Sequence, residues 1–140
     1  MSWRETWRAT VESFLREVRD PEEGPPAPDP VVTAIAAARA EIVTLERDQA
    51  TAQSRLASET DAAAVCERRR DQAQRIGDAD TARIAGAFAR RHAMRAAVLR
   101  RKCAVLEEEL TLARATLVDL LDYARVDASG LTGRPPQAER

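Results

Sequence analysis

Prolines partition this chain. Five of its seven fall in the run PEEGPPAPDP (21–30) and the other two are Pro135 and Pro136, so no proline interrupts the stretch from Val31 to Arg134. Proline removes a backbone donor and clashes with the preceding helical turn, so a stretch this long without one favours uninterrupted helix. Glycine is almost as scarce there, limited to Gly77, Gly86, Gly130 and Gly133. Alanine, the best helix former, supplies 28 of the 140 residues, and only five side chains are aromatic. Alanine buries little surface, so the composition suits long thin helices better than a globular core. The expected fold is all-α. It comprises an N-terminal amphipathic helix in 1–20, a stiff Pro-rich linker at 21–30, a coiled-coil region over 31–126, and a flexible tail at 127–140.

The long region carries heptad spacing. In its first half, one row reads Ile35, Ile42, Gln49, Leu56, Ala63, Arg70 and its companion Val31, Ala38, Leu45, Ala52, Glu59, Cys66, Ala73. In its second half, the rows are Ala82, Ala89, Ala96, Cys103, Leu110, Leu117, Ala124 and Ala85, His92, Leu99, Leu106, Ala113, Leu120. Between the halves lies RIGDADTARIA (75–85). Gly77 suits the left-handed residue that closes a helix, and either Asp78 or Asp80 can cap the next at its positive end. A single unbroken helix would absorb the glycine at a cost of about 1 kcal/mol. The glycine followed by two capping aspartates favours a turn near 77–80 and an antiparallel hairpin with arms of roughly 68 Å. In that register Cys66 and Cys103 stand about 20 Å apart, beyond disulfide reach. Alanine-rich rows bury little, so a homo-oligomer is expected, with Ile35, Ile42, Leu45, Leu110, Leu117 and Leu120 packing near the base of the hairpin.

Three of the five aromatics, Trp3, Trp7 and Phe14, fall within the first fourteen residues. At 100° per residue they share one helical face with Val11, Leu15 and Val18, and Arg4 lies at its margin. So short a helix has nothing of its own to cover that face. Two coverings suit it: a membrane interface, where tryptophan rings sit at headgroup depth and arginines snorkel, or a protein groove. The helix's charge is balanced, Arg4, Arg8, Arg16 and Arg19 against Glu5, Glu12, Glu17 and Asp20, so a membrane would be held by insertion more than by anionic attraction.

Net charge is −1 overall, yet it is unevenly spread. Residues 67–102 carry eleven basic side chains against four acidic ones, including Arg68, Arg69, Arg70, Arg90 and Arg91, whereas residues 103–128 carry two against six. A solvated helix face explains any single run. Polarity of the whole hairpin suits staggered association of positive tips with negative bases. No aromatic platform accompanies the basic tip, so nucleic acid is not an expected partner.

Catalytic and metal chemistry have little to work with. There is one histidine, His92, on an expected packing row, and the two cysteines have no zinc-type spacing. No phosphate-binding glycine loop occurs. The expectation is no enzyme activity, no metal and no cofactor. No apolar run reaches the roughly 18 residues of a membrane span, and nothing resembles a secretory signal. Twenty-one arginines against the single Lys102, together with the alanine content, match a GC-rich bacterial genome. With no span, no signal and no disulfide framework from two cysteines, the expected address is the bacterial cytoplasm.

Two stretches, REVRDPEE (16–23) and GDADTARIA (77–85), resemble the phage-shock-protein-A family. That family includes the plastid vesicle-inducing proteins and is related to the ESCRT-III membrane-remodelling proteins. The first stretch is similar to its acidic Asp-Pro-Glu junction after the first helix, the second to its hairpin turn. The resemblance implies that Trp3, Trp7, Val11, Phe14, Leu15 and Val18 insert into a membrane and that hairpins stack to remodel or protect the bilayer. It implies a location at the inner membrane. The linker GPPAPDP (24–30) is longer and richer in proline than the family's break, and the family's later helices have no room before Arg140. A small oligomer or an accessory subunit is therefore expected. The alternative reading is a soluble coiled-coil adaptor whose first helix docks onto a protein.

Overall fold

A computed structural model describes residues 3–17 and 26–132, with side chains described for 6–14 and 26–130. It contains three helices, α1 (Trp3–Glu17), α2 (Pro30–Arg75) and α3 (Ala79–Thr132), and no strand among the described residues. α2 and α3 pack against each other, so the expected helical hairpin is the fold found.

Each end of α2 follows from local chemistry. Asp29 caps its start: the carboxylate Oδ1 accepts from the Val31 N–H at 2.9 Å, and the Asp29 carbonyl accepts from Thr33 N–H at 3.0 Å. Pro30 stands first in the helix, where no backbone donor is needed and its fixed φ suits the turn. This corrects the expected linker boundary by one residue, since Pro30 opens the helix. α2 ends at Gly77, whose φ is +76°. The Asp78 N–H reaches back to the Ala73 carbonyl (2.9 Å) and the Gly77 N–H to the Gln74 carbonyl (3.2 Å), the paired bonds of a Schellman motif.

The residue that completes this stop also starts α3. Asp78 Oδ1 accepts from the Thr81 N–H at 3.0 Å, Oδ2 accepts from the Thr81 hydroxyl at 2.6 Å, and the Asp78 carbonyl accepts the first helical bond, from Ala82 N–H. Of the two candidate caps, Asp78 is the one used. Asp80 sits inside the first turn, where its charge complements the helix dipole. A turn separates the helices, and the unbroken-helix alternative is not what the chain adopts. α3 continues to Thr132, six residues beyond the expected end at 126. The expected flexible tail thus begins within a helix, and its part from 133 onward lies outside the described residues.

By internal packing the chain divides into two compact units, one of residues 40–116 and one of the segments before and after it. In the 40–116 unit, Ala52, Ala73, Ala82, Ala85, Ala89, Ala96, Leu106, Leu110 and Ala113 are buried. In the other unit, Ala38 and Leu120 are buried. Among the described residues, all eleven buried apolar side chains occupy the expected heptad rows, and every other member of those rows is at least half-buried. Eight of the eleven are alanine, which lets two helix backbones come close while giving each layer little area.

Candidate functional site

The residues singled out in the sequence fall at three places. The first is the apolar face of α1. Trp7 and Val11 are half-buried, and Phe14 is 55% exposed. The backbones of Trp3, Arg4 and Leu15 lie in the helix, but their side chains are outside the described residues, as is the whole of Val18. The Thr10 hydroxyl donates to the Thr6 carbonyl at 2.8 Å, so it is turned onto its own helix.

The second place is the basic cluster of the 40–116 unit. Arg68, Arg69, Arg90 and Arg91 are exposed, whereas Arg70 is half-buried on its expected row. Arg70 donates from Nε (3.1 Å) and Nη2 (3.0 Å) to Asp71 Oδ1. Its aliphatic stem crosses Gly86: a Cβ at that glycine would lie 3.5 Å from Arg70 Cδ and 3.6 Å from Arg90 Nη1. The structure therefore brings Arg70 and Arg90, twenty residues apart in sequence, to the same glycine. The Arg91 guanidinium sits 5.6 Å from the centre of the Phe88 ring, a cation–π distance. Beside the turn, Arg69, Arg75, Ile76 and Thr81 help to line a shallow open groove, and Ile76 is 80% exposed.

The third place is the set of polar residues on the packing rows. His92 Nδ1 lies 2.6 Å from Glu59 Oε2. A carboxylate only accepts, so Nδ1 carries the hydrogen and donates it. About a quarter of each side chain is exposed. His92 is thus a packed residue with a charge-capable partner across the hairpin. Sliding α3 by one heptad would leave both groups half-buried and unpaired, so this pair ties the register. A second cross-hairpin pair, Arg114 to Glu46 at 3.0 Å, is about half exposed and adds little stability. Gln49 Oε1, on an expected row, is buried without a partner.

Neither pair was foreseen, although a signal existed. Glu59 and His92 were the two charge-capable residues of the companion rows in their halves, at similar distances from Gly77. Cys66 and Cys103 are both free and half-buried. The six residues expected to form an oligomer seam, Ile35, Ile42, Leu45, Leu110, Leu117 and Leu120, are all buried or half-buried within the single chain.

Among the described residues, no three His, Cys, Asp or Glu side chains are grouped to hold a metal ion. No helix there is long and apolar enough to cross a membrane. Hydrogen bonds from the Thr81 hydroxyl and then the Thr81 N–H hold the Asp78 carboxyl below the usual range. Comparison with protein-family models, curated proteins and solved structures finds no match to this chain.

Proposed function

We propose that this is a non-enzymatic assembly protein, held peripherally at a bacterial inner membrane by the aromatic face of α1 and self-associating through its helical hairpin. The observation that carries the reading is the placement of Trp7, Val11 and Phe14 on one face of α1, with Phe14 more than half exposed at the edge of that face. A bulky aromatic left in water on a short amphipathic helix is the pattern of an interfacial anchor. The REVRDPEE and GDADTARIA stretches, which resemble the phage-shock-protein-A family, point the same way. The hairpin then acts as a stiff spacer carrying an assembly surface. The balanced charge of α1 favours a protein groove as the second reading.

Liposome flotation separates the two. The full chain is expected to float with vesicles of mixed neutral and anionic lipid, and Trp3→Ala/Trp7→Ala/Phe14→Ala to stay at the bottom. If both forms stay down on every lipid, the membrane reading is wrong and the α1 face belongs to a protein.

A further inference from the structure

α3 carries a second heptad row that α2 does not cover. Stepping by seven from Ile84 gives Arg91, Val98, Val105, Leu112, Asp119 and Val126. The five apolar members are between 49% and 72% exposed, and the two charged ones are exposed as well. The neighbouring row, from Phe88, reads Arg95, Lys102, Glu109, Thr116 and Tyr123, with both aromatics about half exposed. Because the inner rows stay covered at strict seven-residue spacing, the helix tracks a coiled coil, and every seven-residue row keeps a constant angle to the inner seam. The outer pair of rows lies roughly 100° round the helix from that seam.

We infer that this outer face of α3 is the docking surface for the α3 of a second copy, running antiparallel about a two-fold axis at Val105. Charge placement selects the occupant. Arg91 and Asp119 stand fourteen residues either side of Val105, so an antiparallel partner centred there sets each arginine against an aspartate. The same axis pairs Ile84 with Val126 and Val98 with Leu112. In the neighbouring row, Lys102 meets Glu109 and Phe88 meets Tyr123 about a centre only half a residue away. A parallel in-register partner would instead oppose arginine to arginine, lysine to lysine and aspartate to aspartate, which selects against it. An isologous two-fold contact of this kind closes on itself. This deepens the assembly reading above by naming the partner and the register, and it is independent of what α1 binds.

The test uses the full chain with Cys66 and Cys103 replaced by alanine. Light scattering at micromolar concentration is expected to give a dimer. Val105→Cys is expected to form a covalent dimer on mild oxidation, and Ala104→Cys, one residue off the row, is not. Val98→Cys alone should cross-link poorly but pair efficiently when mixed with Leu112→Cys. Arg91→Asp alone should weaken the dimer roughly tenfold or more, and Arg91→Asp/Asp119→Arg should restore it. Apart from the half-buried Cys66 and Cys103 all of these positions are exposed, and circular dichroism checks that each variant keeps its helices. Efficient self-linking of Val98→Cys, or a dimer that does not link through Val105→Cys, overturns this register and leaves the assembly reading standing. A monomer throughout overturns both.

Discussion

α3 bears two apolar stripes, and in its first turns after Gly77 their residue sizes are the reverse of the usual order. The stripe that packs against α2 begins Ala82, Ala85, Ala89, Ala96, all buried. The stripe facing outward carries Ile84, Phe88, Val98, Val105 and Leu112, all about half exposed. Small side chains inside let the helices of the hairpin approach closely near the turn, whereas the side chains with the most area to bury are outside. Near the turn, closing the hairpin therefore uses little of the apolar surface of α3. The larger share is left for another surface to cover, which is why stability and association should respond to different residues.

The strongest way to test that contrast is to change residue size on the inner stripe. Leu110→Ala removes a buried leucine and is expected to cost about 2–5 kcal/mol in urea denaturation. Ala89→Leu, which forces bulk into the close approach, should cost about 1–3 kcal/mol. If Ala89→Leu is neutral, the seam near the turn is not closely packed and the contrast fails.

The register that keeps the two stripes apart depends on the turn, and the two glycines of this region should respond with opposite signs. Gly77 has φ +76°, a backbone state that costs L residues about 1–2 kcal/mol, so Gly77→Ala is expected to lower the melting temperature. Gly86 is helical and buried, and a Cβ there meets Arg70 at an ordinary contact distance of 3.5 Å. Gly86→Ala should therefore stabilise by about 1 kcal/mol through helix propensity. A loss at Gly86→Ala comparable to that at Gly77→Ala would mean that the arms pack more tightly around Gly86 than described.

The smallest expected effect concerns acid. The Asp78 carboxyl is held below its usual range by Thr81, so its stabilisation is complete above the ordinary carboxylate pKa and is lost as pH falls through the depressed folded value. Asp78→Asn keeps a capping oxygen but has no charge to lose. Its melting temperature should depend less on pH than that of the natural chain as pH drops from about 5 to about 3, and equal slopes would remove Asp78 from the account.

Much of this was legible in one dimension because it rests on local rules. The heptad rows named every buried apolar residue among those described, since a coiled-coil seam is a repetition that a single helix expresses by itself. Gly77 followed by Asp78 and Asp80 announced the turn, since left-handed backbone and N-terminal capping depend on local residues, although either aspartate suited the cap. Local rules were less exact at the ends: Pro30 reads equally well as linker or as first helical residue, and nothing after 126 marks a stop before α3 ends at Thr132.

What the sequence determined by itself was therefore the helices, their seam and the turn between them, because each is encoded within a few residues or in a simple period. What only the tertiary structure decided was which side chains from different helices meet. Glu59 found His92 and the Arg70 stem came to lie across Gly86 because the turn sets how the two arms lie side by side. Covering the alanine stripe of α3 also left the larger stripe outside. Near the turn the outer stripe is the larger of the two, because alanine on the inner one is what lets the two backbones come close.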